Sequence, residues 1–258
     1  ELESRWSRFQ PTSEISRVNR AGDAWTAVSA DTVLLLRRAV EAWRWTDGAF
    51  DPTVLAAVQA YRGETSEVPQ RAPGLAGVEI DEARGRVRLG PGVAVDPGGI
   101  GKGLAADLVA TELVELGARA ALVNVGGDLR AIGEPPFPGG WGVEVEVPGG
   151  SLLLGIAEGG VATSSPAART GTGPQGVWHH LFDPAVGAPL DDPPSSATVV
   201  APEAWQAEVW TKAVLRRATP EVPAGLAALL APASGPVRVD PSIARLLHGV
   251  ALDQEVLV

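Results

Sequence analysis

The segment that most constrains the fold runs Val93-Ala94-Val95-Asp96-Pro97-Gly98-Gly99-Ile100-Gly101-Lys102-Gly103. A β-branched run, a Pro-Gly turn and an apolar pattern through Leu104, Leu108, Val109 and Leu113 predict a strand, a tight turn and a helix stopped at Gly117. Glycines let backbone N–H groups approach an anion, a helix N-terminus adds partial positive charge, and Lys102 adds a full one. The same turn, taken alone, is equally a plain strand–helix connection. Two familiar nucleotide loops are excluded. Walker spacing would need glycine in place of Asp96 and a hydroxyl residue in place of Gly103, and the dinucleotide fingerprint fails at Leu104.

Composition narrows the remaining classes. With 258 residues, 45% of them hydrophobic, the chain can bury a real core in one large domain or two small lobes. A net charge of -10 argues against duplex nucleic acid as a partner, which requires a basic field. No apolar run approaches the roughly 20 residues that cross a bilayer, so no transmembrane segment is expected here. The absence of Cys removes disulfides, thiolate catalysis and zinc–sulfur sites. A chain that opens on Glu1 and has no Met is expected to be processed, cut or partly represented upstream.

Helical periodicity first becomes clear at Asp31–Trp45, through Val33, Leu36, Val40 and Trp43. It ends in a structured loop, Thr46 to Val54, marked by Asp47-Gly48 and Asp51-Pro52. Val78 to Leu89 reads as a hairpin feeding the Val93–Val95 strand, and Ala120–Val125 as a short buried strand. Further strands are expected at 141–147, 152–156, 160–164 and 196–200, with a proline-started helix over 202–216. Gly133–Gly140 and Gly171–Gly176 read as long loops, and no solenoid-type repeat is present. Strands and helices mixed without regular alternation predict an α+β fold.

Chemistry-bearing groups are sparse. Two of the three histidines are adjacent, His179-His180, just before Leu181-Phe182-Asp183-Pro184. One imidazole of such a pair is a candidate general base; the alternative is one packed ring and one solvated ring. No zinc helix or nucleophile elbow claims them for a hydrolase, which makes zinc chemistry an unsupported reading. Ser13, Asn19, Asp47, Asp51, Asn124, Asp128, Thr163 and Ser164 fall at turns and strand ends, where each alone is usually a cap or turn residue. Among the 8 Trp, Trp178 beside the histidines is the best candidate to stack on an aromatic ligand.

Taken in order, these segments resemble the ApbE-type FAD:protein FMN transferases. The matching blocks are Phe9 to Asn19, Asp47 to Thr53, Asp96 to Gly103, Asn124 to Asp128, Ala162 to Ser164, and His180 to Pro184 with Gly187. The likeness is strongest over residues 1–216 and weak beyond Arg216; the family has further strand sequence upstream of Glu1. The resemblance implies one mixed-sheet α+β domain over 1–258, with two lobes around a flavin cleft. It implies binding of FAD with Mg²⁺ and transfer of FMN to a Ser or Thr hydroxyl of an acceptor protein, with release of AMP. His180 matches the catalytic histidine that takes the acceptor's proton; Lys102, with backbone amides and a metal, would supply the charge neutralisation that phosphoryl transfer needs. Ser13, Asn19, Asp47, Gly48, Asp51, Asp96, Gly98, Gly99, Gly103, Gly127 and Asp128 would shape the flavin site, with Thr163, Ser164 and Trp178 beside the nucleotide. Family members often work outside the cytoplasmic membrane on an N-terminal anchor that this chain does not show. FAD hydrolysis to free FMN, and FAD binding without turnover, are the alternative readings.

The family binds Mg²⁺ through an Asp and a Thr four residues apart on one helix and a carbonyl at the position of Gly101. Here Glu208 stands at the Asp position and Lys212 at the Thr position. Residues four apart share a helix face. An ammonium has no lone pair for a metal but can neutralise a pyrophosphate, so Lys212 paired with Glu208 is expected to replace the metal in part, the alternative being an ordinary surface ion pair. Thr163-Ser164-Ser165 also lacks the glycine that usually follows Thr-Ser in the family, which changes the local pocket.

Overall fold

The computed structural model describes the backbone of residues 1–252 and 256–257 and the side chains of 1–247. Two compact units emerge, one built from Glu1–Gly101 with Arg169–Leu190, the other from Lys102–Ala168 with Asp191–Val258. Helices and mostly antiparallel sheets are mixed in the chain, the α+β class expected.

The first unit carries helices α1 (Leu2–Trp6), α2 (Glu14–Ala21), α3 (Ala30–Trp45) and α4 (Leu55–Tyr61). Ser13 and Ser29 cap α2 and α3, each accepting from the amide three residues on. The buried face of α3 is Thr32, Leu35, Leu36, Ala39 and Ala42 together with Val33. Val40 and Trp43, which the periodicity assigned to the core face, are only half-buried. The hairpin of Glu79–Asp81 and Arg86–Arg88 forms as expected and is extended by Thr26–Ala27.

Val93–Val95, by contrast, is not a strand. Val95 satisfies its backbone through one side chain, its N–H donating to Asn19 Oδ1 at 2.8 Å and its carbonyl accepting from Nδ2 at 2.9 Å. An amide side chain thus stands where a neighbouring strand would. Gly171–Gly176 is not a long loop either. Thr170–Gly173 and Gly176–His179 pair antiparallel, and Gly173 and Gly171 let this hairpin lie against the Tyr61 carbonyl and the Trp178 ring, where a Cβ would fall 1.8 and 2.5 Å away. Tyr61 meets Phe182 edge-on at 5.3 Å between centroids.

In the second unit a seven-stranded sheet runs, in spatial order, Val256–Leu257, Val237–Val239, Ala227–Ala231, Ser196–Ala201, Gly159–Ser164, Asp128–Gly133 and Ala120–Val125. Ala120–Val125 lies at the sheet edge, and Leu122 is 40% exposed, so it is not the buried strand its apolar run suggests. Strands Trp141–Val147, Gly150–Ile156 and Leu247–Leu252 form a smaller sheet. Val143, Val145, Leu152, Leu154 and Ile156 from that sheet share a core with Val161, Val200, Leu229 and Val237 of the larger one.

Two helices complete the unit, α5 (Gly101–Glu115) and α6 (Ala204–Arg217). The N-terminus of α6 follows a capping box of Glu203 and Gln206 rather than starting on Pro202. Buried Asp107 of α5 also accepts from Ala204 N at 2.8 Å and Trp205 N at 2.9 Å. Gly103 and Gly160 allow this close approach: a Cβ on either would lie 2.5 Å from the Ala204 carbonyl or 2.3 Å from its Cα.

Candidate active site

The first turn of α5 brings Lys102 to two carboxylates that the sequence keeps far apart. Its Nζ donates to Asp128 Oδ2 and, at 2.8 Å, to Glu208 Oε1. Glu208 is fully buried, and its other oxygen accepts from Gly103 N at 2.8 Å. Asp128 enters from the turn Gly126-Gly127, where both glycines hold positive φ (60° and 96°) and Asn124 Oδ1 accepts from Gly127 N. Lys212 completes the group from α6, donating to the Glu208 carbonyl at 2.8 Å with Nζ 3.8 Å from Oε1.

Two ammonium and two carboxylate groups therefore share one largely buried cluster. Burial raises the Glu208 carboxyl, but Lys212, Lys102 and the Gly103 N–H hold it below its ordinary value. Burial and the Glu208 charge push Asp128 up to about 6, against the pull of Lys102 and Lys212. Burial lowers Lys102, yet Glu208 and Asp128 more than compensate and raise it. Lys212 is brought down to about 8, chiefly by burial.

Beside the cluster, Ser164 and Thr211 share a 2.7 Å hydroxyl contact, and Thr211 donates to the Glu208 carbonyl at 2.7 Å. Because Thr211 uses its proton there, Ser164 is the donor in their contact. Thr163 bonds its register partner Thr198 at 2.8 Å, whereas Ser164 bonds Thr211, so Thr163 and Ser164 point to opposite faces of their strand.

In the first unit, Asp96 accepts from Gly98 N at 2.9 Å and pairs with Arg8 Nε at 2.8 Å. Gly99 completes that 3₁₀ turn, Pro97–Gly99. Ser13, fully buried, caps α2, and Asn19 is the latch on Val95. Asp51 accepts from Thr53 N and Oγ1 at 2.8 and 2.6 Å; burial raises its carboxyl against those bonds. Asp47 and Gly48 form a left-handed turn, with φ 51° and 72°.

The two histidines differ. His179 Nδ1 accepts from Leu181 N at 3.2 Å, which places the proton on Nε2, and Nε2 donates to the Leu190 carbonyl at 3.0 Å. Its ring is thus held at both nitrogens. His180 is held through its backbone, N–H donating to the Arg169 carbonyl at 3.1 Å. Trp178 lies under Arg62, whose guanidinium carbon is 5.9 Å from the ring.

The ApbE family model matches residues 1–229, well over half of the sequence. This chain belongs to the ApbE family. It is 26% identical over 231 residues to an FAD:protein FMN transferase of Haemophilus influenzae, covering 81% of this chain and 67% of that one. An FAD:protein FMN transferase of Klebsiella pneumoniae is 32% identical over 126 residues, 47% of this chain and 38% of the relative. Against the latter the chain spans well under half of the relative's length. Among solved structures, the ApbE protein of Thermotoga maritima superposes with a TM-score of 0.83 at 25% identity, covering 96% of this chain and 88% of that one. The apo flavinyl transferase ApbE of Pseudomonas stutzeri shares the fold, with a TM-score of 0.80 at 20% identity and coverage of 97% and 85%.

The ApbE glycine turn is built differently from an open phosphate cradle. Gly98 N–H serves Asp96, Gly103 N–H serves Glu208, and Gly103 itself is required by the backbone of α6. What the sequence reading missed is that Lys102 is held by carboxylates. Asp107 and Arg130, paired at 3.3 Å, carry no signal in the sequence either, since no local pattern distinguishes a buried helix Asp from a surface one.

Mg²⁺ demands a nearly octahedral shell of oxygen donors. Glu208 offers its oxygens to Lys102 and Gly103, Asp128 faces Lys102, and Lys212 has no lone pair to give. Gly101 is the first residue of α5, where a carbonyl ordinarily accepts from the amide four residues on. Among the described residues no three His, Asp or Glu side chains gather as a metal site. The cluster as built does not fit Mg²⁺.

Proposed function

We propose that this chain transfers FMN from FAD to a Ser or Thr hydroxyl of an acceptor protein. The acceptor oxygen forms a bond to the FMN phosphorus, the bond from that phosphorus to the bridging oxygen breaks, and AMP leaves with the bridging oxygen. His180 takes the hydroxyl proton, a role that typically contributes about 10²–10⁴-fold. Lys102 neutralises charge on the diphosphate, since phosphoryl transfer asks a protein mainly for alignment and electrostatic stabilisation. Ser13, Asn19, Asp47, Gly48, Asp51, Asp96, Gly98, Gly99, Gly127, Thr163, Ser164 and Trp178 belong to the nucleotide's surroundings in this reading.

The observation that carries the proposal is Lys102, fixed on the first turn of α5 by Asp128 and Glu208, in a chain that matches the ApbE family over residues 1–229. The test is incubation with FAD, with and without a Ser/Thr acceptor domain, followed by mass spectrometry. Addition of FMN to the acceptor supports transfer. Free FMN with no adduct replaces it with hydrolysis, and unchanged FAD replaces it with binding alone.

A further inference from the structure

The position that departs from the family pattern lies in the charge cluster. Lys212 stands four residues after Glu208 on α6, its side chain 18% exposed. Of its three N–H donors one serves the Glu208 carbonyl at 2.8 Å, and among the described residues it makes no other hydrogen bond. Two donors are thus left for a ligand. The neighbouring hydroxyl does not compensate for the missing threonine, because Thr211 is committed to Ser164 and the Glu208 carbonyl.

We infer that Lys212 is the resident cation of this site, so that the diphosphate of a flavin nucleotide is held by two ammonium groups, Lys212 and Lys102, without a divalent metal. The inference rests on the reading of the chain as an FAD-handling protein. Its physical basis is charge and valence. Asp128 and Glu208 are balanced by Lys102 and Lys212, which leaves no excess negative charge to draw in a divalent ion. A metal at Glu208 would face both ammonium groups at close range. Lys212 is also covalently part of the site, so its contribution does not depend on metal concentration. It supplies one positive charge where Mg²⁺ supplies two, and binding through ammonium groups is correspondingly sensitive to salt.

The experiment compares FAD affinity of the full chain, Lys212→Met and Lys212→Thr in EDTA and in Mg²⁺, alongside Mn²⁺ binding by electron paramagnetic resonance. The expected result is a parent affinity that is the same in both media and falls about tenfold in Lys212→Met, the loss of one charged contact. Parent affinity that rises about tenfold or more with Mg²⁺, or a Lys212→Met variant that binds FAD like the parent in EDTA, overturns the inference. No FAD binding by the parent in either medium overturns the functional reading instead. The Mn²⁺ titration then decides the cation question alone: bound Mn²⁺ in the parent refutes it, and Mn²⁺ uptake by Lys212→Thr but not by the parent supports it.

Discussion

Lys102 and Glu208, 106 residues apart in the chain, meet at 2.8 Å with the Glu208 side chain fully buried. The pair ties the start of α5 to the middle of α6 and fixes the one lysine of the glycine turn.

Removing the carboxylate leaves Lys102 and Lys212 to share Asp128. Glu208→Ala is expected to destabilise the fold by about 3–5 kcal/mol, the usual result of breaking a buried ion pair from one side. Urea denaturation measures it. A loss below about 1 kcal/mol would mean that the pair is solvated like a surface bridge.

Gly103→Ala and Gly127→Ala separate packing from backbone freedom. A Cβ on Gly103 meets the Ala204 carbonyl at 2.5 Å, and overpacking of that kind costs about 1–3 kcal/mol or more. At Gly127 no atom lies within 4 Å, and only the φ of 96° resists, at about 1 kcal/mol. Thermal melts of the two variants should rank in that order; the reverse order would refute the packing role of Gly103.

The adjacent histidines should divide stability from activity. His179→Ala loses two backbone contacts and is expected to lower stability by about 1–3 kcal/mol. His180→Ala is expected to slow FMN transfer about 10²–10⁴-fold. Full transfer by His180→Ala would remove it as the base.

Asp107 gives a pH signature. Burial raises its carboxyl from 3.8 to about 6, so between these values the folded protein holds a proton that the unfolded chain has released. Its contribution to stability is complete below about pH 4 and is lost as pH rises through 6. The stability of the parent relative to Asp107→Asn should therefore fall over that window, by about 1–3 kcal/mol. A difference that stays flat from pH 4 to 7 would show that the carboxyl is not shifted.

Local chemistry was legible wherever it sufficed. The α3 helix, the 79–88 hairpin, the α5 helix ending near Gly117 and most of the later strands follow from period, caps and turn residues. Val93–Val95 did not, because its partner is the side chain of Asn19, 76 residues from Val95 in the chain. The Thr170–His179 hairpin was hidden for a related reason: glycines that read as loop are there to let Tyr61 and Trp178 pack closely.

By itself the sequence determined that the chain is α+β, that a lysine follows a glycine turn, and that Glu208 and Lys212 lie four residues apart. The tertiary structure alone decided what surrounds those lysines. Hydrogen-bonding partners of a buried charge are chosen by which elements pack against it, and Asp128, Glu208 and Lys212 reach Lys102 only once α5, α6 and the turn before Asp128 are assembled.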